Sequence, residues 1–188
     1  MEGVRNVDVK TVKDVARIFG ILNWNRKFIA NFAEKAKPIS DLLRQGNKSG
    51  VRIKEYWNNQ AQDARNKLLD EILNHNTLLH IIDHQSNLFL ATGASANACS
   101  AHLYAIDKEG SEQTVGYHSR VFQPSEQNYT IQEKELLSFI EACKRFDPYL
   151  RGQKFTWISD NQTMINPSDG NSALSKSRIT RWLETLQN

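Results

Sequence analysis

The hydrophobic period of this chain of 188 residues changes near Asn76, and that change limits the fold more than any other feature. From Thr11 the apolar residues Val12, Val15, Ala16, Phe19 and Leu22 recur at intervals of three and four, the spacing that lines one face of a helix. Thr11 with Asp14 supplies a start signal. A second short apolar stretch holds Phe28, Ile29 and Phe32, and Pro38 suits the first turn of a third helix that runs through Leu42 and Leu43 and ends at Gly46. After a polar loop bounded by Gly46 and Gly50, Trp57, Ala61, Ala64, Leu68 and Ile72 again keep helical period. Beyond Asn76 the apolar runs shorten to 78–82, 88–91, 101–105 and 113–118, separated by polar clusters that suit turns, the pattern of consecutive antiparallel strands. The spacing then predicts a helix over 131–145, a strand over 154–159 and a last helix over 179–186. The expected class is α+β, with a helical module over 1–75 and a mixed domain over 76–188.

With 39% hydrophobic and 24% charged residues the composition is that of a folded, water-soluble body. No run approaches the roughly 18 consecutive apolar residues of a membrane span, and the start Met-Glu-Gly-Val-Arg lacks a signal-peptide pattern, so the expected setting is intracellular, cytoplasmic or nuclear, with no membrane partner. Cys99 and Cys143 lie far apart with no CxxC spacing, which reads as two buried thiols rather than a disulfide or a zinc site. Charge is uneven. Residues 1–75 carry 14 Lys and Arg against 9 Asp and Glu, and residues 76–188 carry 10 against 12. A basic front half suits either a phosphate-bearing partner or a solvated helical surface.

Two carboxylates invite chemistry because of where they fall: Glu135 at the inner edge of the strong helix, and Asp160 directly after the Phe-Thr-Trp-Ile-Ser strand. A solvated helix charge and a strand-end cap are the plain alternatives. Asp83 and Asp107 lie in polar clusters and read as turn residues. His80 and His84 are four apart, but a strand followed by a turn sends them in different directions, and His118 reads as a structural residue of the sheet.

The block from Thr11 to Arg44, with Gly-Ile-Leu-Asn-Trp-Asn-Arg-Lys-Phe at 20–28, resembles the thumb region of reverse transcriptases from gypsy-type LTR retrotransposons. Trp57, Gln60, Ala64 and Leu68 are similar to the helix that leads into that family's ribonuclease H domain. Thr92-Gly-Ala-Ser95, Tyr117-His-Ser-Arg120, Glu126-Gln-Asn-Tyr129, Glu133-Lys-Glu-Leu-Leu137, Tyr149-Leu-Arg-Gly152, Ser159-Asp160 and Arg178-Ile-Thr-Arg-Trp-Leu183 follow in the family's order.

The resemblance implies a helical thumb-like module joined to an RNase H-like mixed sheet flanked by helices. It implies no polymerase here: no Tyr-x-Asp-Asp occurs, so DNA synthesis by this chain alone is excluded. In the family the nuclease uses two divalent metals held by four acids. Glu135 and Asp160 match two of those positions, but Gly93 stands where the bridging acid of Thr-Asp-Ala-Ser belongs, and no Asp or Glu occurs between Asp83 and Asp107. The chain also reaches Asn188 before the family's last strand and Ala-Asp-Ala-Leu helix, so the domain is expected to be truncated at its C-terminus and to lack a second acid. Two dications a few ångströms apart repel strongly without anions between them, so Glu135 and Asp160 are expected to hold at most one Mg²⁺ weakly, and no cofactor is required unless residual nuclease activity needs Mg²⁺.

Trp24, Asn25, Arg26 and Lys27 lie in the segment by which such thumbs approach a nucleic-acid duplex. A core role for Trp24 and Phe28 in a small helical bundle fits the spacing equally well. The expectation is a domesticated, catalytically inactive module for protein assembly and nucleic-acid binding, with a homodimer or protein partner closing uncovered surfaces and a duplex or hybrid as a further partner. Two alternatives stand beside it: an active ribonuclease H cleaving the RNA of RNA–DNA hybrids, and a pure protein scaffold.

Overall fold

The computed structural model describes residues 7–46, 57–74, 82 and 87–159. The chain divides into two compact units, Met1–Thr77 and Leu78–Asn188.

In the first unit, helix α1 spans Val12–Trp24 and starts in a reciprocal cap: the Thr11 hydroxyl accepts from the Asp14 amide while the Asp14 carboxylate accepts from the Thr11 amide. That arrangement satisfies donors that a helix start otherwise leaves open. A 3-10 turn over Arg26–Phe28 follows, then short helix α2 at Phe32–Lys35, entered through Asn31 at φ 55, then α3 at Lys37–Gly46 and α4 at Asn59–Asn74. Val15, Ile18, Leu22, Ile29, Phe32, Ile39, Leu68 and Leu69 pack into one core. Arg65 is buried with them; its Nη1 donates to the Val7 carbonyl at 3.1 Å and its guanidinium lies 5.6 Å from the Trp57 ring centre. Burial of an arginine inside α4 is invisible to a periodicity argument, because it depends on the distant Val7 carbonyl and the Trp57 ring.

The second unit is built on a sheet in the order β3-β2-β1-β4. Strands β1 (Asn87–Ala94), β2 (Ala98–Ile106) and β3 (Glu112–Val121) form an antiparallel meander, and β4 (Phe155–Ile158) pairs parallel with β1 after the crossover helix α5 (Ile131–Leu150). A parallel pair needs such a crossover. Alternation along β1 places Leu88, Leu90 and Thr92 in the interior, where Leu88 and Leu90 join Ala101, Leu103, Phe146 and Leu150. Helix α5 packs on β1 and β2.

Helix α5 runs five residues past the predicted end and contains Pro148 in its last turns. A proline there forfeits one helical hydrogen bond, and the buried Phe146 and Leu150 on either side hold the register against that loss. Strands β1, β2 and β3 each extend beyond the predicted apolar runs, because ladder pairing continues through polar residues such as Ser100 and Ser119 that apolar counting passes over. The strand predicted at 78–82, save residue 82, and the helix predicted at 179–186 lie outside the described residues. Among the described residues no helix is long and apolar enough to cross a membrane.

Candidate functional site

The end of β1, the turn into β2 and the first turns of α5 meet at one place. Thr130 caps α5, its hydroxyl accepting from the Glu133 amide while the Glu133 carboxylate accepts from the Thr130 amide at 3.0 Å. This start directs Lys134 and Glu135 back onto the β1–β2 turn. Lys134 Nζ donates to the Ala96 carbonyl at 3.0 Å and lies 5.6 Å from the Phe122 ring centre. Glu135, only 4% exposed, accepts the Ala94 amide on Oε1 at 2.9 Å. Glu135 therefore occupies the inner edge expected of it, beside the backbone that follows Gly93.

Gly93 pairs with Ser100 across β1 and β2. Among the described residues, a Cβ built at Gly93 would meet only the Ser100 hydroxyl, at 3.8 Å, an ordinary contact. The position thus admits a side chain, and glycine is not imposed by the backbone. On the helix-facing side of β1, Trp157 Nε1 donates to Thr92 Oγ1 at 2.8 Å, and the Trp157 ring stacks on Phe139 of α5 with centres 4.2 Å apart, which ties β4 to β1 at the same end.

Behind this corner, Arg120 of β3 makes a bidentate contact with Glu126, at 2.6 and 2.9 Å, and donates through Nε to Glu141 of α5 at 3.0 Å. Two short charge-assisted bonds hold the Glu126 carboxyl below its ordinary pKa of 4.5, with the Gln123 amide lowering it further. Desolvation pushes both thiols up, Cys99 by burial in the sheet and Cys143 to about 11, so neither is an activated nucleophile. Asp107 is a turn residue as read: its carboxylate accepts from the Glu109 and Ser111 amides and from Gln113. His118 lies in β3 opposite Ala101. Asp160, Asp83, His80 and His84 lie outside the described residues.

The resemblance implies a pair of divalent metals, and Asp160, one of the two acids that match it, lies outside the described residues. Glu135 is the one acid of the implied set among the described residues, Gly93 offers no ligand, and among those residues no group of three His, Cys, Asp or Glu side chains converges on a point.

The four thumb residues separate in the structure. Trp24 lies about 200° around α1 from the buried Leu22, so the helix itself turns it outward, and it is 84% exposed. It takes no part in the core. Lys27 is also exposed, its Nζ 5.1 Å from the Phe28 ring centre. Asn25 caps α1, donating from Nδ2 to the Ile21 carbonyl at 3.0 Å, and the Arg26 guanidinium lies 6.0 Å from the Phe32 ring centre.

Sequence reasoning missed Lys134 and the Arg120–Glu126–Glu141 cluster. Arg120 and Glu126 both stand in blocks that carry the resemblance, but their pairing across a strand end and a turn leaves no periodic trace.

A three-stranded antiparallel meander, a crossover helix and a fourth strand parallel to the first define an RNase H-like fold. Residues 57–157 match the family described as an RNase H-like domain found in reverse transcriptase, and the chain belongs to that family. It is 31% identical over 183 residues to the retrovirus-related Pol polyprotein from transposon 412 of Drosophila melanogaster, covering 94% of this chain and 14% of the relative. It is 27% identical to the transposon Tf2-3 polyprotein of Schizosaccharomyces pombe, over 95% of this chain and 13% of that protein. The chain is therefore about one-seventh the length of these curated relatives. Among solved structures it is similar to the foamy viral protease-reverse transcriptase in complex with dsDNA, at TM-score 0.77 and 25% identity over 100% of this chain and 38% of that one. The same viral protein in complex with RNA/DNA hybrid matches at TM-score 0.73 and 25% identity, over 99% of this chain and 24% of that one.

Proposed function

We propose that this chain is a retroelement-derived RNase H-like module that binds nucleic-acid duplex or hybrid without cleaving it and that assembles with a protein partner or a second copy of itself. The observation that carries the silent-nuclease reading is Gly93: a β1 position that admits a side chain holds none, next to a Glu135 already engaged by the Ala94 amide. Removing an anion from between two dications leaves their mutual repulsion uncompensated, which is why a single glycine weighs so heavily. Nucleic-acid binding is supported by Trp24 and Lys27, an exposed aromatic and an exposed cation three residues apart on the basic part of the chain, and by the duplex and hybrid named for the similar viral structures. An intracellular site of action, in cytoplasm or nucleus, belongs to the same reading.

The test is incubation of the chain with an end-labelled RNA–DNA hybrid in Mg²⁺ or Mn²⁺, beside a gel shift on the same hybrid. The expected result is a shift without cleavage, weakened in Trp24→Ala. Cleavage abolished by Glu135→Gln would establish the active-nuclease alternative. Failure to shift any duplex or hybrid at low salt would leave a pure protein scaffold.

A further inference from the structure

We infer that a second copy of this chain docks on the sheet face opposite α5, about a two-fold axis that runs along the strands between β1 and β2. The inference rests on the self-assembly part of the proposed function and names the surface that carries it.

Among the described elements of this unit, α5 covers one face of the sheet and none covers the other. Strand pairing sorts the uncovered face into rows. Phe89 stands beside Tyr104, and Ala91 stands between Ile158 and His102, with Tyr117 beyond. The rings of Phe89, Tyr104, His102 and Tyr117 stack in series with centres 5.4, 4.9 and 4.4 Å apart, which fixes the shape of the face before any partner arrives. Ile158, on the edge strand, is 41% exposed. From the Phe89 row to Ser100 and Ser119 the described positions of this face hold no Lys, Arg, Asp or Glu. A phosphate backbone finds no cation there, whereas a protein surface does not need one.

The charges of the face stand at one end, in one row. Ile106 pairs with both Asn87 and Glu112, and Leu88 pairs with Phe155, so Lys154 falls level with Asn87. Glu112 and Lys154 thus occupy opposite edges of the sheet, both exposed, three strand spacings or roughly 14 Å apart. A two-fold axis along the strands exchanges the two edges. It sets Glu112 on the partner's Lys154 twice over, Tyr117 against the partner's Ile158 and His102 against the partner's small Ala91, in the aligned mode of sheet-on-sheet packing. A face of roughly 20 Å by 20 Å is small for a permanent dimer, so association is expected near micromolar concentration.

The experiment is sedimentation velocity on the full chain over a concentration series, for the native protein, Glu112→Lys, Lys154→Glu, the two combined, and Ala91→Arg, with circular dichroism to check that each folds. The native chain is expected to dimerise reversibly. Each single charge reversal is expected to weaken the dimer on the order of threefold to tenfold, and the combination to restore it. Within one chain the two residues lie farther apart than the screening length of about 8 Å at physiological salt, so rescue reports a contact between copies. Ala91→Arg places an unpaired charge at the centre of the face and is expected to abolish dimerisation. A native dimer indifferent to all of these variants would overturn this face and leave self-assembly standing. Weakening without rescue by the combination would overturn the axis. A chain that stays monomeric at every concentration would overturn both the inference and self-assembly, leaving the face to residues 160–188 of the same chain or to a foreign protein.

Discussion

Glu126 and His102 show how individual side chains make the stability of this protein depend on pH. The Glu126 carboxyl is held low by Arg120, so its contribution is full above the ordinary value of 4.5 and disappears as pH falls through its lower folded value. His102 stacks between Tyr104 and Tyr117, with Nε2 3.1 Å from the Thr114 hydroxyl, and burial pushes its pKa below the ordinary 6.5. Its neutral form is favoured in the folded state, so that contribution too is full above 6.5 and falls away as pH drops through the folded value. Urea midpoints followed from neutral pH downward should therefore fall in two stages, the first below 6.5 and the second below 4.5. Glu126→Gln should shrink the second stage and leave the first, the remainder belonging to Asp14 and Asp107, whose hydrogen bonds also hold their carboxyls low. Replacing Arg120 with Met should cost about 1–3 kcal/mol near neutrality, because two carboxylates lose their shared partner.

At the level of elements, α1 and α5 begin with the same device, Thr11 with Asp14 and Thr130 with Glu133. Thr130→Ala should cost about 1 kcal/mol in thermal unfolding, and Thr11→Ala a similar amount, since each substitution opens donors at a helix start. The two differ in what hangs on them. The first turn of α5 carries Lys134 and Glu135 onto the β1–β2 turn, so fraying there also releases the Ala94 amide and the Ala96 carbonyl. Hydrogen exchange at Ala94 should accelerate in Thr130→Ala and stay unchanged in Thr11→Ala. Helix α1, helix α4 and the meander of strands were all legible from hydrophobic period. The continuation of α5 through Pro148 was not, because it depends on Phe146 and Leu150 finding partners in a sheet assembled from residues some forty to sixty positions earlier in the chain.

For the whole molecule, the excess of lysine and arginine in residues 1–75 sets how nucleic-acid affinity should respond to salt. Substituting Lys27 with Ala should lower the slope of log affinity against log salt by about one, the signature of a single lost phosphate contact. Trp24→Ala should weaken binding with the slope unchanged, because an aromatic contact releases no counterion. Equal slope changes in both variants would place the interface elsewhere on the chain.

Local spacing along the sequence determined the division into helical and sheet-forming parts and the capped helix start at Thr11 and Asp14. Each of these depends on neighbours within a turn or two, so chain geometry alone carries it. Tertiary structure decided which charged groups went inside and whom they met: Arg65 on the Val7 carbonyl, Lys134 on Ala96, Glu135 on Ala94, Arg120 between Glu126 and Glu141. Burying a charge is tolerable only with a partner in place, and most of these partners come from distant parts of the chain, so no local pattern announces them.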